Sequence, residues 1–357
     1  MPNAMEGKIL FDVPCRASSC DVWYDCPTKY MWKLRFRVYP RRKQREYALD
    51  VGKFFHAFKE PEGMAKANLM WEEKRDSLTA LISTGEDLDG RLAKVLDDTD
   101  QAYYVGRMMA DLSSELSPDP EGCELLGAEI EHALDMPEVK VLIAGRLDQL
   151  MAYGDEVYVR DFKTSQHPPM TVTSSYGFSK ACQIYRMLAE DFMARVLHMS
   201  PEKLTGFRLL VVQKPTIKFC PNTKDGNKDG LFESKFHAFL NRCKDWYGKQ
   251  EGTMVSSFSM RFGGLPLTPE ILSELQAFTY RGRKSLTVEK GSALLEEYPR
   301  RSRSCCDPYG RMCPYLSLCT SSPATWDQIL SEQFSVDPPE ERRSSYDRVH
   351  GTSEVCA

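Results

Sequence analysis

No stretch of this chain reaches the roughly 18 uninterrupted apolar residues of a membrane-spanning helix. Residues Met1 to Leu10 also lack the basic stretch followed by an apolar one that marks a secretion signal. The expectation is a soluble protein of the reducing cytoplasm, away from membranes, where clustered cysteines more often bind metal than form disulfides. An excess of positive charge is missing as well. Forty-seven Lys and Arg stand against 51 Asp and Glu, a net charge of −4, which excludes a generally basic nucleic-acid coat. There is no internal repeat and no G-x-x-x-x-G-K-[ST] phosphate loop, so ATP-driven unwinding would have to come from a partner such as a helicase.

The chain has 357 residues, 42% hydrophobic and 27% charged, an ordinary globular composition long enough for one large or two modest domains. Its positive charge is concentrated. From Lys29 to Arg45 there are eight Lys or Arg and no acid. Twelve cysteines are many for this length, and they cluster: Cys15, Cys20 and Cys26 early, Cys305, Cys306, Cys313 and Cys319 late.

Apolar spacing predicts a helix in 16–39 interrupted near Pro27, a second over Asp50 to Lys59, and further helices over 64–116. Strands are predicted at Glu129–Leu134, Val139–Met151, Glu156–Lys163 and Phe207–Lys214, with a hairpin turn at Tyr153-Gly154-Asp155 and a helix over Tyr176–Leu197. Strands, a helix and a returning strand indicate an α/β core with a mixed central sheet flanked by helices. Helices follow at 232–250 and 268–280. The expected organisation is an N-terminal segment (1–62), a helical insertion (63–120), the α/β core (121–215), a helical region with the cysteines (216–322) and a disordered tail (323–357).

The segment GRLDQLMAYGDEVYVRDFKTS, 145–165, carries the chemistry. Asp161 and Lys163 are two apart on one strand and share a face; the turn brings Asp148 of the preceding strand close to Asp161. Two converging carboxylates, with the Phe162 carbonyl, can hold a hard divalent cation. A neighbouring ammonium can orient water and stabilise charge developing on a phosphate. A solvated hairpin with salt-bridged acids would have the same spacing.

G-x-x-D followed by D-F-K-T-S resembles the signature of the PD-(D/E)xK nuclease superfamily, and most closely its RecB-like branch, which includes AddB and exonuclease V. The resemblance implies a restriction-endonuclease-like core, Mg²⁺ or Mn²⁺ as cofactor, Asp148 and Asp161 as metal-binding acids, and Lys163 as catalytic lysine. Gly52-Lys-Phe-Phe-His56 is similar to the family's G-x-x-x-H, which makes His56 a metal ligand. Gln183 and Tyr185 resemble its Gln/Tyr motif for positioning DNA, although the spacing here is Q-x-Y rather than Q-x-x-x-Y. Glu129 or Glu131 matches the acid that often precedes G-x-x-D.

In iron–sulfur members of this branch one early and three late cysteines hold a [4Fe–4S] cluster that ties the chain ends together. Cys26, Cys306, Cys313 and Cys319 fit that pattern, with a six-residue first gap where two is common and with Cys305 competing for Cys306. Four thiolates suit a cluster or Zn²⁺. The basic window, with Lys33, Arg35, Arg37, Arg41, Arg42, Lys43 and Arg45 among Trp32, Phe36 and Tyr39, as a patch offers phosphate neutralisation and any exposed rings stacking on bases, while residue by residue a solvated helix face with its aromatics buried is the expectation. A second group, Arg281, Arg283, Lys284, Arg300, Arg301 and Arg303, flanks the late cysteines. Together these features lead us to expect a metal-dependent DNA nuclease, an exonuclease on single strands or DNA ends in recombination, repair or replication. The alternative is a non-catalytic DNA-binding or assembly subunit on a cluster-stapled nuclease fold.

Overall fold

The computed structural model describes residues 22, 26–36, 38–40, 46–84, 90–136, 141–176, 180–217, 232–248, 255–261 and 312–336. In chain order the helices are α1 (Pro27–Tyr30, running into a π-turn Met31–Arg35), α2 (Glu46–Phe58), α3 (Gly63–Ser83), α4 (Arg91–Leu116), α5 (Pro169–Tyr176), α6 (Lys180–Arg195), α7 (Phe232–Gly248), α8 (Leu316–Thr320) and α9 (Trp326–Gln333). The strands are β1 (Val38–Pro40), β2 (Cys123–Met136), β3 (Val141–Tyr153), β4 (Glu156–Ser165), β5 (Leu204–Gln213), β6 (Val255–Arg261) and β7 (Phe334–Val336). Among these residues no helix is long and apolar enough to cross a membrane.

Strands β2 to β6 form one mixed sheet in sequential order. β4 and β5 are its parallel pair, joined by the crossover through α5 and α6; the other neighbours run antiparallel. Alternation assigns the faces. Phe207, Leu209 and Val211 of β5 pack on one side with Ile184, Leu188 and Met193 of α6. Leu210 and Val212 face the other way, with Phe162 of β4 and Phe54, Phe55, Met108 and Phe239 of α2, α4 and α7.

One helix crossing sets where α2 lies. A Cβ on Gly106 of α4 would stand 2.8 Å from the Phe54 Cβ and 2.9 Å from the Phe55 nitrogen, so only glycine lets α4 sit this close to α2. Apolar residues at Val51, Phe54, Phe55 and Phe58 give α2 a buried stripe. His56 lies beside that stripe, its side chain 25% exposed.

The helix is interrupted near Pro27 as expected: Val22 is helical and its carbonyl accepts the Cys26 N–H at 3.0 Å, Cys26 itself is extended, and Pro27 opens α1 at its first turn, as its missing N–H allows. The far end of the chain departs from expectation. Residues 326–336, placed by sequence reading in a tail, form α9 and β7; Val38 pairs with Val336 and Pro40 with Phe334. Trp326 is buried, edge-on to Trp32 with ring centroids 4.9 Å apart, and the Tyr315 hydroxyl donates to the Val38 carbonyl at 2.8 Å. Apolar residues widely spaced in a polar segment hide this order from composition. Trp32 and Phe36, for which sequence favoured burial over stacking, are core residues at 0% and 2% exposure. The loop 222–230 and the helix expected over 268–280 lie outside the described residues.

Candidate active site

The β3–β4 ladder ends early. Its pairs run from Tyr153–Glu156 to Gln149–Arg160 and stop there. Beyond that point β3 stays on β2 as far as Val141, and β4 stays on β5 as far as Ser165. The sheet forks, and the next opposed positions of the register are Asp148 and Asp161. Like charges directly opposed disfavour continued pairing. Asp148 takes over part of the lost ladder: its Oδ2 accepts the Phe162 N–H at 2.7 Å.

Other side chains converge on the fork. His56 Nδ1 lies 3.5 Å from Asp148 Oδ2. Lys163 Nζ is 2.6 Å from Asp161 Oδ2 and 3.4 Å from the Phe162 carbonyl. Of the two glutamates open from sequence, the fold selects Glu129: its carboxylate and donor atoms of His56 and Asp148 lie within 4.8 Å of one another. On β2 it falls between Ala128, paired with Gln149, and Ile130, paired with Leu147, which sets it across from Asp148. Its φ of 48° is left-handed, a strained state for a non-glycine residue that surrounding contacts must hold. A carboxylate row thus crosses β2, β3 and β4.

Burial sets the protonation pattern. It pushes Asp161 up to about 6, Lys163 opposing and Asp148 adding to the rise. Asp148 is raised too, by burial against the pull of Lys163 and the Phe162 amide. Glu129 is pushed up to about 7 by burial, with Arg146 opposing and Asp148 and Glu60 adding. Burial together with Lys163 lowers His56 to about 4, leaving its imidazole neutral as a ligand must be. Burial would lower Lys163, yet Asp161, Tyr185 and Asp148 hold it above the ordinary lysine range, so it stays charged. Oxygen donors with one imidazole, and buried acids that repel each other, fit a divalent cation of the Mg²⁺ or Mn²⁺ kind.

A second layer supports the fork, and sequence reading did not single it out. Gln149 accepts from Arg160 Nε at 2.6 Å and donates from Nε2 to the Lys59 carbonyl just past the end of α2, at 2.9 Å. Arg160 also pairs with Asp119. The Arg160 guanidinium and the Lys59 ammonium lie 5.3 and 5.5 Å from the centre of the Phe162 ring. These contacts bind the His56 helix to the hairpin that carries both aspartates.

On α6, Tyr185 stacks on Phe207 and lies close enough to Lys163 to raise it. The Gln183 side-chain oxygen is buried and accepts no hydrogen bond among the described residues. Cys26 and Cys319 are buried and Cys313 half-buried, all at the junction of the N- and C-terminal segments; Cys306 lies outside the described residues. The Arg35 side chain and the whole of Arg37, Arg41, Arg42 and Lys43 lie outside them as well, as does the second basic group.

A mixed sheet flanked by helices, with acids and a lysine gathered at a fork between two strands, is the framework of a restriction-endonuclease-like nuclease. The chain belongs to the PD-(D/E)XK nuclease superfamily, whose sequence profile matches residues 17–320. That span takes in His56, the whole fork and the late cysteines. No curated protein is a match.

Proposed function

We propose that this protein hydrolyses DNA phosphodiester bonds with Mn²⁺ or Mg²⁺, trimming single strands or DNA ends, as a member of the RecB-like branch. One observation carries the reading: the Lys163 ammonium 2.6 Å from Asp161, at a fork where Asp148 already faces His56. A non-catalytic scaffold has no use for two buried acids and a half-buried third crowded at one fork.

His56, Asp148 and Asp161 are the residues to hold the cation, with Glu129 and the Phe162 carbonyl beside them. The single imidazole tilts the choice toward Mn²⁺. Such an ion supplies Lewis acidity toward the scissile phosphate and a more acidic bound water. The chain does the rest. Asp161 and the Phe162 carbonyl hold the Lys163 side chain, which is 39% exposed and so reaches the cleft. From there its ammonium orients the attacking water and neutralises charge gathering on the phosphate oxygens. Tyr185 and Gln183 on α6 flank the strand path. Arg35, Arg37, Arg41, Arg42 and Lys43 contribute phosphate contacts, with no stacking from the buried Trp32 and Phe36.

We further infer that Cys26, Cys313, Cys319 and Cys306 hold a [4Fe–4S] cluster, with Zn²⁺ the alternative. Support comes from the three described cysteines lying on segments that share one core, at a junction β1, β7 and the two tryptophans already close. Its removal would loosen this junction rather than the fork.

The test is cleavage of end-labelled single-stranded DNA by anaerobically purified protein in Mn²⁺ or Mg²⁺, with Asp161→Ala alongside and iron and sulfide measured. Metal-dependent cleavage lost in the variant, with a ladder from one end, is the expected result. Bound but uncut DNA would favour the assembly subunit.

A further inference from the structure

We propose that Arg146 is the phosphate anchor of this site, and that Glu129 restrains it until a divalent cation takes the Glu129 carboxylate. The proposal rests on the nuclease reading above and adds to it a coupling between metal and nucleic acid.

Arg146 stands on β3 two residues before Asp148. Its Nε lies 2.8 Å from Glu129 Oε2, with the arginine side chain 57% exposed and the glutamate 14%. The same Glu129 carboxylate belongs to the donor trio with His56 and Asp148. One group therefore serves two cations in turn, a guanidinium in the metal-free protein and the metal afterwards. A dication on the inner acids competes directly with a solvent-facing guanidinium, which water also solvates. Once displaced, Arg146 offers a planar set of N–H donors suited to two phosphate oxygens at once.

A structural salt bridge accounts for the pair less well. The register places Glu131 directly across the ladder from Arg146. Arg146 nonetheless reaches diagonally to Glu129, whose backbone is held at a φ of 48°. An ion pair whose guanidinium is this exposed contributes little to stability, whereas strained residues gather at working sites. Charge supports the same sequence of events. Without metal, Glu129, Asp148 and Asp161 outnumber Arg146 and Lys163 and repel a phosphate. A bound dication reverses that balance just as it frees the guanidinium.

Fluorescence anisotropy of a labelled single-stranded phosphorothioate oligonucleotide, in EDTA and in Ca²⁺ at constant ionic strength, tests this without turnover. Wild type binds more tightly in Ca²⁺. Arg146→Ala loses about tenfold in Ca²⁺ and less than about twofold in EDTA, and Arg146→Lys recovers part of the loss. Glu129→Gln, with its restraint removed, binds several-fold more tightly than wild type in EDTA, whereas Glu129→Gln with Arg146→Ala does not. The Ca²⁺-induced rise in melting temperature is kept by Arg146→Ala and reduced in Glu129→Gln. Equal oligonucleotide affinities in Ca²⁺ for wild type and Arg146→Ala would overturn the anchor and leave the nuclease reading standing. So would a double variant that gains as much as Glu129→Gln alone. A wild type that binds no oligonucleotide in either condition overturns both.

Discussion

Asp148 and Asp161 occupy directly opposed positions on β3 and β4, one residue past the last ladder pair, Gln149 with Arg160. The fork exists because the strands part at two buried carboxylates. The parting of the strands and the acids gathered there are therefore one feature.

Asp161→Asn should stabilise the metal-free protein while removing cleavage. In the fold this carboxyl rises from 3.8 to about 6. Between those values the folded chain keeps a proton that the unfolded chain has released, so stability through this group falls as pH rises across the window and stays low above it. The variant should gain on the order of 1–3 kcal/mol near pH 8 and nothing near pH 4. Denaturant unfolding in EDTA at both ends of the range checks this.

Metal binding should release protons. Glu129 and Asp161 sit at about 7 and about 6 without metal, so the ion must displace protons below those values. Mn²⁺ affinity should rise roughly a hundredfold between about pH 5.5 and 7.5. His56, lowered to about 4, adds nothing to this dependence. Calorimetry in buffers of different ionisation enthalpy counts the protons, and Glu129→Gln should lower the count.

Lys163→Gln should reduce turnover by about 10² to 10⁴ and change oligonucleotide affinity by less than about threefold, because the ammonium acts on charge that develops during the reaction. Single-turnover rates set beside anisotropy separate the two effects.

Gln149→Glu should separate positioning from stability. A glutamate still accepts from Arg160 but cannot donate to the Lys59 carbonyl, so the link to α2 is lost and the link to β4 kept. Unfolding free energy should fall by about 1 kcal/mol. Cleavage should fall about tenfold or more as His56 moves from Asp148.

Trp326→Ala should cost about 3–5 kcal/mol, by opening a cavity against Trp32. Removing residues 323–357 should be at least as damaging, which urea unfolding would show. A disordered tail would leave both unchanged.

Much of the core could be read from sequence because its signals are local. The period-2 pattern of EVYVRDFKTS marks β4, and two-residue spacing alone puts Asp161 and Lys163 on one face. The paired chain ends were harder to read. Trp32 in a basic run has the same sequence signature whether its ring stacks on a base or fills a core, and Trp326 lies almost 300 residues away in a polar stretch.

By itself, then, the sequence determined the mixed α/β sheet, the hairpin and the acids and lysine upon it, since strand periodicity and turn chemistry act over a few residues. Tertiary structure decided between Glu129 and Glu131, because strand register sets the first across from Asp148 and the second across from Arg146. It also decided the fork, the Gln149 bridge to α2 and the pairing of Arg146 with Glu129. Each of these depends on strand register and on helices brought together from distant parts of the chain, which no local pattern encodes.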